Sequence, residues 1–239
     1  MSRGTRHISR PFVSINMAMT ADGKIATANR AVSSFGSKRD HDQLLALRAT
    51  ADAVMCGART ADLNDVNLGP GAARFRRLRL RRGLAEYNLR VIVSGSGSIK
   101  PHATLFRHSF SPIIILTTQK MSSASRRRLR SLGAEIKICG RTEINFHTAL
   151  SWLHQQWNVT RLLCEGGGEL NDALFRARLV DELNLTVCAK VFGGRHAPTI
   201  ADGLGFPALA SATQLELRSA RRVGDEMFLV FSAAKPARR

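Results

Sequence analysis

Acidic residues are scarce: 18 Asp and Glu stand against 36 Lys and Arg, a formal charge of +18 over 239 residues. Such a balance excludes an acidic surface and sets up a positive field. That field draws nucleic acid, acidic lipid or phosphorylated small molecules without choosing among them. Aromatics are also few, at 6%. A core of Ala, Val, Leu and Ile is what sheets covered by helices use. Single-strand binders need stacking platforms, and only Phe75 and Tyr87 stand near the main basic run. No apolar run approaches the ~20 residues of a membrane-spanning helix. The four cysteines, Cys56, Cys139, Cys164 and Cys188, form no CxxC pair and have no His at ligand spacing, so they read as buried, reduced thiols. No HExxH or HxxxH pair occurs either, and no metal is expected. The opening MSRGTRHISR is basic, and the strand-like PFVSINMAM after it carries no signal-peptide cleavage pattern. This predicts a short arm over residues 1–10 and a cytoplasmic chain.

What is present alternates. With no internal repeat and no low-complexity linker, one domain over residues 11–232 and a basic tail over 233–239 are expected. Short β-like runs fall at 12–19, 53–56, 89–93, 112–117, 134–138, 161–164, 182–191 and 227–231. Helical stretches fit 38–50, 122–132, 146–156 and 169–177 between them. This is the rhythm of an α/β fold with a largely parallel sheet and crossover helices. Residues 67–88 break it: a GPGAA start and the run RFRRLRLRR (74–82) predict an exposed basic loop or irregular helix, and RRRLR (126–130) is a second cluster.

Three stretches carry chemistry. In LLCEGGGELNDALF (162–175) an apolar strand runs into Glu165, then Gly166, Gly167 and Gly168, then an amphipathic helix. Glycines at such a turn let backbone approach a ligand, and the free N–H groups of the first helical turn bind phosphate, so a dinucleotide pyrophosphate fits there. A GGG turn also serves merely to connect strand and helix, but a plain turn has no need of a carboxylate at the strand end, where substrate hydroxyls are held. In AVMCGARTADLND (53–65) a strand ends in Gly before a helix start with Thr60; Arg59 is placed for the 2′-phosphate that distinguishes NADPH, although a surface Arg has the same signature. In NMAMTADGKIAT (16–27) a strand passes into a polar turn with Asp22, Gly23 and Lys24, a pattern that is often only a turn.

In this order the three resemble the riboflavin-specific reductase family, whose members are fused to a deaminase in many bacteria and free-standing in archaea and fungi. The resemblance runs from about Pro11 to Phe231. It is most specific over EGGGELNDALFRARLVDELNLTVCAKVFGGRHAPTIADGLGF (165–206), with MAMTADGKIA and LRATADAVMCGARTA completing it. It implies a single dihydrofolate-reductase-like domain, a homodimer and NADPH lying across the strand ends. It also implies reduction of the ribosyl group of a phosphoribosylamino-pyrimidine to ribityl, hydride passing to C1′ of the opened sugar. By position it implies that Ala18, Thr60, Asn64, Gly166, Gly167, Gly168, Glu169, Leu170 and Asn171 line NADPH. Ser33, Arg48, Leu68 and Glu165 are implied at the substrate, with Lys24 and Glu165 as the polar pair that holds the ribose and assists proton movement.

This chain departs from the family after Thr60, reading TADLNDVNLGPGA where TVLADDPxLTVR is usual. Asn64 replaces an aspartate, Val66 a proline, and Gly71 the arginine that would grip substrate phosphate; Arg74 or Arg76 is then the candidate replacement. Ser34 also stands where an aromatic or Arg is usual. No HxE and PCxxC deaminase signature occurs, so either a separate deaminase acts first or the diamino compound is the substrate. Two other readings stay open: a reductase of another pteridine or pyrimidine, dihydrofolate included, and a non-catalytic basic protein holding nucleic acid through residues 74–82. The retained Glu165 and Gly166–Gly168 argue against the last, and neither nucleic acid nor membrane is expected as a partner.

Overall fold

A computed structural model describes residues 10–30, 35–63 and 66–234. Nine strands form one sheet in the order β5-β4-β3-β2-β6-β1-β7-β9-β8. They are β1 (Phe12–Thr20), β2 (Ala53–Gly57), β3 (Leu89–Val93), β4 (Ile113–Thr117), β5 (Ala134–Ile138), β6 (Arg161–Cys164), β7 (Glu182–Cys188), β8 (Leu215–Val223) and β9 (Glu226–Ala233). From β5 to β7 all pairings are parallel, whereas β9 runs antiparallel to both β7 and β8. The central strands are continuous apolar runs because both faces are covered. Thus Ala53 and Met55 join a core with Leu150 and Leu174, while Val54 and Cys56 join one with Leu129 on the opposite face.

The crossovers are α1 (Lys38–Arg48), α2 (Ala58–Ala61), α3 (Ala73–Arg81), α4 (Ser123–Ser131), α5 (Phe146–Trp157) and α6 (Gly168–Arg176). Caps start several of them where the sequence places Ser or Asn: Ser37 accepts from the amides of Arg39 and Asp40, Ser122 from Ser125, and Asn145 from Thr148. The mostly parallel α/β sheet expected above is what the chain forms.

Three local expectations change. Residues 73–81, read as an exposed loop or irregular helix, form the regular helix α3, and the basic run is not wholly solvated. Arg79 is 1% exposed and donates to the carbonyls of Arg48 and Ala51 at the end of α1 and to that of Ala85 just after α3. Strand β8 was not expected, because nearly all of it is exposed and no apolar alternation marks it. Strand β7 stops at Cys188 rather than Val191. The basic arm, apart from Arg10, and residues 235–239 of the tail lie outside the described residues.

Candidate active site

The carboxyl ends of β2 and β6 lie side by side, and backbone joins them. The Glu165 amide donates to the Met55 carbonyl and the Gly57 amide to the Gly166 carbonyl, each at 2.8 Å. Gly166 takes φ +73°, a region where side chains are strained, and a Cβ there would stand 2.7 Å from Met17 Sδ. Gly167 then begins α6 with no side chain capping it, so the first-turn amides of α6 remain available to a ligand.

These amides open onto a cleft of about 900 Å³, the size range of cofactor sites. It is bounded by the ends of several parallel strands, the usual ligand position in α/β sheets. Gly57, Arg59 and Thr60 line it after β2, and Ser94, Ser96 and Ser98 after β3; Gly167, Gly168, Glu169 and Leu170 follow β6. Arg59 and Glu169 form an exposed ion pair at 2.8 Å. The segment from Glu143 into the first turn of α5 at His147, Arg30 after β1, and Arg176 on α6 also line it.

Glu165 points elsewhere, into a nearly buried ion pair. Arg48 Nε donates to its Oε1 at 2.6 Å and Nη2 to its Oε2 at 2.7 Å, while Nη1 donates to the Gly69 carbonyl at 2.7 Å. Burial works against the Arg48 charge, but the Glu165 carboxylate outweighs that penalty and holds the guanidinium pKa above its ordinary value. The neighbouring thiols go the same way for a different reason: burial, reinforced by the Glu165 charge, pushes Cys56 well up, and burial pushes Cys164 up to about 12. Both stay protonated at neutral pH.

The cofactor expectations separate into two groups. Arg59, Thr60, Gly167, Gly168, Glu169 and Leu170 line the cleft. Ala18, Gly166 and Asn171 do not: Ala18 pairs with Thr186 in the sheet, and the buried Asn171 donates to the Ile200 carbonyl while accepting from Cys164 Sγ. The substrate expectations Arg48 and Glu165 are in direct contact. Leu68 presents no side-chain surface, being fully buried, and its carbonyl accepts from Asn88. Lys24 Nζ donates to the Ala197 carbonyl at 3.2 Å. Ser33 and Asn64 lie outside the described residues. Of the two candidate replacements for the missing arginine, Arg74 pairs with Asp42, and Arg76 bonds the Tyr87 hydroxyl and pairs with Glu86. The Ser94–Ser98 turn went unremarked in the sequence, although SGSGS directly after an apolar strand is a usable signal. Among the described residues no group of three His, Cys, Asp or Glu is arranged to hold a metal ion, and no helix is long and apolar enough to cross a membrane.

The family model described as RibD C-terminal domain matches residues 11–229. The 2,5-diamino-6-ribosylamino-4(3H)-pyrimidinone 5′-phosphate reductase of Methanothermobacter thermautotrophicus is 30% identical over 223 residues, covering 93% of this chain and 98% of that protein. The protein of the same name from Archaeoglobus fulgidus is 29% identical, covering 82% of this chain and 89% of the relative. Among solved structures, Acinetobacter baumannii RibD has a TM-score of 0.77 at 20% identity, over 94% of this chain and 58% of that longer one. The Saccharomyces riboflavin biosynthesis reductase Rib7 has a TM-score of 0.68 at 14% identity, over 96% and 92%. At these identities the structures speak for the fold.

Proposed function

The chain belongs to the RibD C-terminal domain family, and from that membership and the cleft we propose that it is a riboflavin-pathway reductase using NADPH. Its substrate on this reading is 2,5-diamino-6-ribosylamino-4(3H)-pyrimidinone 5′-phosphate, whose ribosyl group becomes ribityl. The observation that carries the substrate is that three relatives matched over 89% or more of their own length bear that compound in their name. The deaminated uracil analogue is the alternative substrate that the same site would accept.

The residues present fit a nicotinamide dinucleotide. A Cβ at Gly167 would meet nothing nearer than Thr60 Oγ1 at 3.9 Å, so the missing side chain there leaves room in the cleft rather than relieving a protein contact. The uncapped start of α6 suits a pyrophosphate. Preference for NADPH over NADH is supported by Arg59, Arg30 and the serines after β3, which line the same cleft. The Arg59–Glu169 pair is exposed, hence weak enough for a phosphate dianion to displace. NADPH, when bound, supplies the hydride for C1′ of the sugar. The chain's own share is to orient the pair and exclude water. Glu165, one peptide before the glycines, offers its carboxylate to the ribose hydroxyls, and Lys24 completes the polar pair that manages the accompanying proton. Pairing into a homodimer is supported by apolar surface on the antiparallel edge, where Leu217 is 57% exposed. We place the enzyme in the cytoplasm, where four unpaired cysteines remain reduced.

The test is oxidation of NADPH by the purified protein offered the diamino compound, its deaminated analogue and dihydrofolate in parallel, with NADH as a second donor. Turnover of the diamino compound ahead of the others is the expected result. Cofactor binding without reduction of either pyrimidine would overturn the substrate, and reduction of dihydrofolate would redirect it.

A further inference from the structure

Arg48 is over-committed for a ligand-binding side chain. It ends α1 with 10% of its side chain exposed, and Nε, Nη1 and Nη2 are all engaged inside the protein. A guanidinium fork that meets both oxygens of one carboxylate fixes that carboxylate's plane as well as its charge. The third bond, to Gly69, is anchored too. A Cβ on Gly69 would stand 2.8 Å from the Phe110 ring, so packing sets where that carbonyl sits.

We propose that Arg48 is a positioning residue for Glu165, holding both carboxylate oxygens in one fixed plane, and that it does not grip the substrate phosphate. This rests on the reductase reading above. The groups facing Glu165 are Arg48 from α1, the Cys56 thiol from β2 and the Cys164 thiol from β6, with Asp62 beyond Cys56 at the end of α2. Neither thiol carries charge at neutral pH, so the guanidinium is the charged group in contact with Glu165.

The experiment measures kcat/KM for the phosphorylated substrate and for its dephosphorylated nucleoside, in wild type, R48K, R48Q, E165Q and R48Q/E165Q. Positioning predicts that R48Q lowers both values by the same factor, about tenfold or more. The double variant should be no more than about twofold worse than E165Q, because the two residues act as one unit. R48K, which keeps the charge but not the bidentate fork, should recover part of the loss for both substrates alike. A loss confined to the phosphorylated substrate, or losses that multiply in the double variant, would overturn the proposal. R48Q leaves a buried carboxylate without its cation. If it fails to fold, R48K and the comparison of R48Q/E165Q with E165Q decide instead, each judged by whether phosphate preference is kept. Should wild type reduce neither pyrimidine, the functional reading fails, and urea unfolding of R48K, E165Q and R48K/E165Q replaces kinetics: non-additive losses are expected, and additive ones would sink the positioning role.

Discussion

Alanine at Gly168 should lower the melting temperature, and alanine at Gly167 should not. A Cβ on Gly168 would lie 2.5 Å from the Thr199 carbonyl, 2.7 Å from Asp202 Cβ and 3.1 Å from the Asp202 amide. Two of these are backbone atoms, and the Asp202 amide also donates to the Gly168 carbonyl at 3.0 Å. The 199–202 segment must move, with an overpacking cost of about 1–3 kcal/mol and roughly 1 kcal/mol from the stretched hydrogen bond. The better helix propensity of alanine returns up to ~1 kcal/mol. A net loss of about 2–3 kcal/mol corresponds to a fall of roughly 4–12 °C for a chain of this size. Gly167 has φ −66°, which alanine adopts freely, and its methyl would project into the cleft. Its melting temperature should stay within about 1 °C of wild type, while the Kd for NADPH rises about tenfold. Calorimetry on the free protein and a fluorescence titration with NADPH measure the two quantities separately. A Gly167→Ala protein that binds NADPH as tightly as wild type would refute the assignment of that glycine to the cofactor wall.

Other consequences follow from the buried ionisable groups. Arg79→Met should cost about 2–4 kcal/mol, because three carbonyls lose a charged donor; Arg77→Met on the exposed side should stay within about 0.5 kcal/mol, and equal effects in urea unfolding would show that the run is only a solvated face. The Asp40 pKa is raised above 3.8, first by burial and then by the Glu226 charge. The folded state therefore holds that proton more tightly than the unfolded chain, and ionisation costs stability as pH climbs through the folded value. The melting temperature of Asp40→Asn relative to wild type should improve from about pH 3.5 to about pH 7, and a pH-independent difference would remove Asp40 as the source. Burial lifts Cys139 to about 11 and both Cys164 and Cys188 to about 12, so none should react with a disulfide reagent at about pH 8 until the protein unfolds, when all four thiols should titrate. Rapid modification of the native protein would contradict the burial.

The parallel part of the sheet was legible because its strands are buried on both faces and read as apolar runs bounded by turns; Ile113–Thr117 and Arg161–Cys164 are examples. The start of α6 was legible for a different reason, three glycines between a strand and an amphipathic helix. What escaped lacked a periodic signal. Leu215–Val223 alternates neither in burial nor in polarity. Arg79 looks like its solvated neighbours, and only the fold brings it under the end of α1. Sequence placed Arg48 and Glu165 together at the substrate, but their 117-residue separation concealed that they bind each other. Leu68 was expected at the substrate and Asn171 at the cofactor, yet the Leu68 side chain is fully buried and that of Asn171 is bonded inside the protein.

Glu165 and Gly167 are two residues apart in the chain, so on the proposed reading the carboxylate's anchor and the cofactor's wall are separated by no more than about 7 Å of backbone. That interval is set by bond lengths, not by how helices pack or loops fold. A chain can therefore rewrite the segment after Thr60 and exchange much of its surface for arginine while the distance between donor and acceptor sites stays the same. If the proposed sites are right, substrate choice can be retuned without rebuilding the place where hydride would be delivered.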